Sequence, residues 1–246
     1  QDFAVTVFES QPEPGGILLF GIPQFRLDKE VVRREIDKIS KLGVSIQTNT
    51  LVGPDMTVDH LFNQGYDAIF IGTGTALPRV LDLPGKDLRG VMPATYMLNM
   101  TALANDGHLD ESEVPVRAGD NVIVIGAGNV AMDAARTAIR QKAASVTVVY
   151  RRGEAEITAL LSEYEAAKAE GVQFRFYQSP LAFEGTTAVT GLKVEAMDVD
   201  ENGKLTETGR FEVLPANCVI TAVGQRPAAR IVSTTHGIEV DKSGFV

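Results

Sequence analysis

Short apolar runs alternate with stretches of helical period along nearly the whole chain. Residues 4–9, AVTVFE, form an apolar run closing on Glu9 and predict a strand. QPEPGG at 11–16 predicts a loop. Over 28–43, Val31, Val32, Ile36, Ile39 and Leu42 fall on one face at helical spacing, with Asp28 placed to cap the helix N-terminus. VSIQTN at 44–49 and YDAIFIGTG at 66–74 predict two further strands. Residues 77–91, LPRVLDLPGKDLRGV, are rich in proline and glycine and predict a crossing segment between lobes. A helix follows over about 94–104, and then NVIVIGAGNVAMDAARTAIRQKAASVTVVYRR gives strand, glycine turn, helix and strand. That βαβ unit requires a parallel sheet with helical cover. The pattern continues as a helix over 159–170, a strand over 172–178 and a hairpin over 191–214. The hairpin turns at ENGK, where Asn202 and Gly203 supply the positive φ angles such turns need. CVITAVG at 218–224 predicts a buried strand. The fold class expected is α/β.

Composition narrows the partners. With 246 residues, 44% of them hydrophobic, the chain can bury one large core or two modest ones. No stretch approaches the roughly 20 apolar residues of a membrane span. A net charge of −9 argues against nucleic acid or an anionic membrane as the main partner, so any basic site must be local. The one cysteine, Cys218, can form neither an intrachain disulfide nor a CxxC redox pair, and its apolar neighbours suggest a packing role. This usage fits cytoplasmic residence. His60, His108 and His236 lack metal-like spacing. The chain enters a strand within a few residues of Gln1 and stops abruptly after GIEVDKSGFV, which suggests a piece of a longer protein.

The glycine turn carries the first chemistry. Gly126, Gly128 and Ala131 stand at the spacing G-x-G-x-x-A between an apolar strand and a helix. Gly126 would allow the tight turn, Gly128 would let a pyrophosphate approach the backbone, and Ala131 would let the helix lie close to the sheet. The helix N-terminus offers free N–H groups and partial positive charge to phosphate. A dinucleotide site is expected. About 20 residues on, where an NAD site carries an acid for the ribose 2′-hydroxyl, this chain has Arg151 and Arg152. A guanidinium suits a phosphomonoester because its planar fork donates paired hydrogen bonds. One such contact is worth roughly 1.5–3 kcal/mol, so NADPH is expected over NADH. Arg151 is the stronger candidate, since neighbours on a strand alternate faces.

PGGILLFGIPQFRL at 14–27, LGVSIQTN at 42–49, YDAIFIGTGT at 66–75, LPGKDLRGV at 83–91, VIGAGNVAMDAARTA at 124–138, VTVVYRR at 146–152 and ITAVGQRP at 220–227 occur in this order. Together they resemble the small (beta) subunit of NADPH-dependent glutamate synthase and related FAD oxidoreductases. The resemblance implies two Rossmann-like three-layer domains: a NADPH-binding domain at 77–224 inserted into an incomplete FAD-binding domain at 1–76 and 225–246. It implies that FAD takes a hydride from NADPH and passes electrons to iron–sulfur centres of a partner, either an iron–sulfur domain or a large subunit. It implies NADPH contacts at Ala127, Gly128, Asn129, Val130 and Arg151, and a further contact near the reducing end at Ala222, Val223 and Gly224. On the FAD side it implies Glu9 at the ribose, with Gly16, Ile17 and Val52. The family's FAD glycine turn is expected ahead of Phe3 and its flavin-covering segment after Val246, so tight FAD retention by this chain alone is not expected. EITA at 156–159 departs from the Met-Pro-Ala common in relatives. Glu163 aligns with a recurrent family glutamate and equally suits a solvated helix carboxylate. Other readings stay open: a flavin reductase serving a ferredoxin-type acceptor, or a nucleotide-binding module without turnover of its own. A thioredoxin-reductase-like activity would need a redox cysteine pair.

Overall fold

The structure is a computed structural model that describes residues 3–53, 55–75, 77–201, 203–227, 231 and 235–242. In chain order its elements are β1 (Thr6–Phe8), α1 (Ile17–Phe20), α2 (Lys29–Ser40), β2 (Ser45–Gln47), α3 (Val58–Asn63) and β3 (Leu77–Pro78). There follow β4 (Val91–Pro93), α4 (Ala94–Asn105), β5 (Asn121–Ile125), α5 (Asn129–Arg140), β6 (Ser145–Val149) and α6 (Leu161–Ala169). The last are β7 (Gln173–Arg175), β8 (Gln178–Gly185), β9 (Val189–Val199), β10 (Leu205–Pro215), β11 (Cys218–Thr221) and β12 (Gln225–Arg226). Two compact units result: Gln1–Arg79 with Gly224–Val246, and Val80–Val223.

The second unit has three layers, and the residue alternation explains them. Its parallel sheet runs β4-β11-β5-β6-β7. Val122, Val124, Val146, Val148, Cys218 and Ile220 point to one face and join a core with Ala94, Met97, Ala131, Met132 and Ala135 of α4 and α5 and with Tyr164 and Ala167 of α6. Ile123, Ile125, Val149 and Val219 point to the other face and meet Phe183, Val189, Leu192, Val194 and Leu214. Those last residues belong to an antiparallel sheet of order β10-β9-β8. Period-2 alternation with both phases apolar is what a strand buried on both faces requires. Cys218 is 2% exposed, and burial, helped by the negative charge of Asp120, pushes its thiol pKa up to about 12. Its packing role is as expected.

The strand expected over 172–178 stops at Arg175, because Tyr177 turns with φ 53° and the chain restarts as β8. The sequence reading has no counterpart to β8. Its Pro180 argues against a strand, but β8 is a sheet edge and its register shifts between Pro180 and Ala182, which is where proline is tolerated. The hairpin of β9 and β10 forms as expected; Asn202 of its turn lies outside the described residues. A register shift between Glu207 and Phe211 is held by buried Glu195, whose Oε1 accepts from Gly209 N at 2.8 Å.

In the first unit β1 and β2 pair in parallel, with Thr6 opposite Ser45 and Phe8 opposite Gln47. The Asp28 side chain caps α2 by accepting from Glu30 N at 3.0 Å. Of the apolar face expected on α2, Val32 is buried, whereas Val31 and Ile39 are exposed, as is Leu42 just beyond the helix. Lys29 is buried instead; its Nζ donates to Leu18 O at 2.7 Å and to Ile22 O, tying α2 to the turn that follows α1. The strand expected over 66–74 does not form, and Phe70 is 94% exposed. A strand exists only through a neighbour that takes its hydrogen bonds, and no described strand lies beside this segment. Helix α3, capped by Thr57 Oγ1 accepting from His60 N, was not expected from the periodicity. Gln225–Arg226 of β12 pairs antiparallel with Leu77–Pro78 of β3. No helix among the described residues is long and apolar enough to cross a membrane.

If the antiparallel sheet is a true core layer, Leu192→Ala will lower the unfolding free energy by about 2–5 kcal/mol in urea titration. Phe211→Ala, on the open face of β10, will change it by less than about 1 kcal/mol.

Candidate functional site

The carboxyl ends of the parallel strands converge where the chain order reverses. From β5 the chain runs outward to β6 and β7, while β11 and β4 lie on the opposite side. That reversal opens a crevice between β5 and β11, the usual ligand position in such sheets. Gly126 sits at its base with φ 128°, and a Cβ there would lie 2.5 Å from Ala222 O. No other residue fits both the dihedral and the approach. Gly126 N donates to Val149 O at 3.0 Å, and Ala222 N donates to Ile125 O at 2.8 Å. Three strand ends are thereby fixed around one turn.

Gly128 is different. It is the N-cap of α5, with φ −92° and ψ 179°, a conformation open to any residue, and a Cβ there would meet only Thr158 Oγ1, at 3.4 Å. The fold itself does not require glycine at this position. No side chain caps α5. The N–H groups of Asn129 and Val130 in its first turn therefore have no intrahelical acceptor. The helix also carries its partial positive charge at this end.

A loop after β6 closes over the turn. Ala127 O accepts from Thr158 N at 3.2 Å and Ala159 N at 3.1 Å, and Asn129 Oδ1 accepts from Leu160 N at 2.9 Å. The Asn129 carbonyl oxygen thus serves the loop. Tyrosines brace the loop on its other side. Tyr150 Oη donates to Glu156 O at 2.9 Å and Tyr164 Oη donates to Glu154 Oε1 at 2.5 Å. The Tyr177 hydroxyl would lie 2.2 Å from a Cβ at Gly153, so only glycine admits that ring. These bonds were not legible from the EITA departure; the one sequence signal was the cluster of Tyr150, Tyr164 and Tyr177 around a loop that departs from the family pattern. The two arginines differ as their positions suggest. Arg151 is exposed, and its guanidinium has no partner among the described residues, whereas Arg152 Nε lies 4.0 Å from Glu156 Oε1.

Ala222 and Val223 follow β11 on the same rim, and Gly224 O accepts from Arg79 N at 2.9 Å as the chain leaves the second unit. Gly126 to Val130, Arg151, Arg152, Ala222 and Val223 therefore gather at the carboxyl ends of adjacent strands. In the first unit, Glu9 directly follows β1, and its Oε1 accepts from Gln11 N at 2.8 Å and Ser10 Oγ at 3.3 Å. Gly16 is the N-cap of α1, Ile17 is exposed, and Val52 is half-buried in the loop after β2.

Residues 6–246 match the pyridine nucleotide-disulphide oxidoreductases. The chain belongs to this family. It is 39% identical to the glutamate synthase [NADPH] small chain of Halomonas elongata, over 98% of this chain and 52% of that protein. It is 37% identical to the beta subunit of the NADP(+)-dependent formate dehydrogenase of Moorella thermoacetica, over 99% of this chain and 34% of that one. The chain thus spans about half the length, or less, of these relatives. The resemblance read from the ordered motifs is borne out by these identities. Among solved structures, Mycobacterium tuberculosis FprA in complex with NADPH superposes with a TM-score of 0.77 at 23% identity, over 98% of this chain and 67% of that one. That likeness is one of fold, and it agrees with the α/β class expected. The family name refers to disulphide chemistry, but the one cysteine of this chain is the buried Cys218.

Glu163 is not the solvated helix carboxylate. On α6 its Oε2 lies 2.6 Å from Arg136 Nη1 of α5, with both side chains largely buried. Arg136 also reaches Glu170 Oε1 through Nε at 3.0 Å and Nη2 at 2.8 Å, and Arg140 Nη2 joins the same oxygen at 2.8 Å. Glu163 is therefore a pin between two helices behind the glycine turn. Burial pushes the Glu170 carboxyl up, but the two guanidiniums outweigh it and hold its pKa below the ordinary 4.5. A depressed carboxylate stabilises the fold above its unfolded pKa and loses that contribution as pH falls through the folded value. Glu170→Gln should cost about 1.5–3 kcal/mol at neutral pH by urea unfolding. Its deficit against the wild type should shrink at about pH 3; a deficit independent of pH would contradict the assignment.

Proposed function

We propose that Val80–Val223 is a NADPH-binding unit, and that the protein is an NADPH-dependent FAD oxidoreductase of the glutamate synthase small-subunit kind. The observation that carries this reading is the pairing of two features without a structural reason of their own. Gly128 is glycine where packing does not demand it, and Arg151 is a solvent-facing cation beside the same turn, without a partner among the described residues. A dinucleotide ending in a phosphomonoester explains both.

In this reading the room over Gly128 admits the pyrophosphate, and the first-turn N–H groups of Asn129 and Val130 donate to it, with Gly126 and Ala127 forming the turn beneath. Arg151, with Arg152 beside it, takes the 2′-phosphate. Ala222, Val223 and Gly224 line the approach to the reducing end. The nicotinamide and the flavin supply hydride chemistry when bound; the chain binds and aligns them, and the step requires no acid or base from these residues. The NADPH domain, expected over 77–224, is taken as the unit Val80–Val223, and the unit of Gln1–Arg79 and Gly224–Val246 as the FAD-binding domain, where Glu9, Gly16, Ile17 and Val52 would face FAD. The acceptor in this reading would be the iron–sulfur centres of a partner, an iron–sulfur domain or a large subunit. The names of the relatives, a small chain and a beta subunit, support a place in a multi-subunit complex. Cytoplasmic residence belongs to the same reading.

Calorimetry tests it. The wild type should bind NADP+ about 10- to 100-fold more tightly than NAD+, the value of one or two charge-assisted hydrogen bonds. Arg151→Gln should bring NADP+ close to NAD+ and leave NAD+ binding unchanged. Gly128→Val should weaken both coenzymes while the melting temperature moves by less than about 3 °C. Equal affinity of the wild type for the two coenzymes would sink the reading.

A further inference from the structure

We propose that Glu156 is a specificity-determining residue that holds coenzyme preference down by competing with the coenzyme's 2′-phosphate for Arg152; the inference rests on the NADPH reading above. Glu156 ends a single 3-10 turn, Glu154–Glu156, that directly follows the two arginines and Gly153. Its carboxylate is engaged on both oxygens. Oε2 accepts from Gly153 N at 3.0 Å, and Oε1 stands 4.0 Å from Arg152 Nε. The residue's backbone is fixed as well, since its N–H donates to Gly153 O at 3.1 Å and its carbonyl accepts from Tyr150 Oη at 2.9 Å. The carboxylate is therefore anchored rather than swinging free, next to one of the two cations available to a phosphomonoester.

The consequence is a division of labour between the arginines. Arg151 offers its whole fork to an incoming anion. Arg152 can offer its fork only by leaving Glu156, or by bringing phosphate and carboxylate close to each other. Both cost affinity for NADP+ and neither touches NAD+, which carries no charge at that position. The pair is about half exposed on each side, at 44% and 48%, so water screens it and the expected effect is modest.

Glu156→Gln separates the charge from the cap, because the amide oxygen can still accept from Gly153 N while the negative charge is gone. In calorimetry this variant should bind NADP+ about two- to fivefold more tightly than the wild type. NAD+ affinity and melting temperature should not change. In an Arg152→Gln background the same substitution should give less than half of that gain, as expected for two coupled residues. A wild type that prefers NADP+ together with a Glu156→Gln variant whose NADP+ to NAD+ ratio is unchanged or lower overturns this inference and leaves the NADPH reading standing. A full gain retained in the Arg152→Gln background also overturns it. A wild type without any preference for NADP+ would instead remove the reading on which it rests.

Discussion

The parallel ladder that sets Cys218–Thr221 against Val122–Ile125 is the constraint on which the larger unit depends. It joins segments separated by the whole βαβ unit, α6 and the antiparallel sheet. Because β11 lies between β4 and β5, the sheet reverses its winding there, and the crevice at the carboxyl ends exists only through that pairing. The same ladder delivers Ala222 O to Gly126. Chain entropy makes such long-range closure costly, and the dry alternating faces of Val219, Cys218 and Ile220 offset it by burying apolar surface on both sides.

The site is assembled in two stages from that base. Local sequence supplies the glycine turn and the helix that follows, and nearby strand pairing brings the end of β6 alongside. The loop 151–160 is then tied down by groups that are remote in sequence: Ala127 O, Asn129 Oδ1, Tyr164 and Tyr177. Such a braced loop holds its charged side chains in place before any ligand arrives, which lowers the ordering cost of binding. An acidic chain can in this way present one local positive end, formed by the α5 N-terminus and Arg151, against a net charge of −9.

What was legible in the sequence followed the range of the interactions. The βαβ unit, its turn residues, the Asp28 cap and the buried β11 are written in local pattern and spacing, and the structure carries each of them. The strand read at 66–74 failed because apolar composition cannot report whether a neighbouring strand is present to accept its ladder. Strand β8 was missed because Pro180 reads as a breaker unless one knows that it lies on a sheet edge. Glu163 stayed open between a family position and a solvated carboxylate because its partner, Arg136, sits on another helix and is itself buried, an unusual place for arginine outside a paired network. Arg151 and Arg152 were legible as a pair. Strand alternation ranked Arg151 first, but the carboxylate beside Arg152 was not legible, since it depends on the 3-10 turn that ends on Glu156.

The buried thiol of Cys218 has a practical corollary. With its pKa near 12, only about one part in ten thousand is thiolate at mildly alkaline pH, and the thiolate is the form that reacts with maleimides and iodoacetamides. In the folded chain Cys218 should react slowly with such reagents. Cysteines introduced one at a time on its surface would each take a spectroscopic label without competition from the native residue, so distances between the two units could be measured in solution on an otherwise unaltered background.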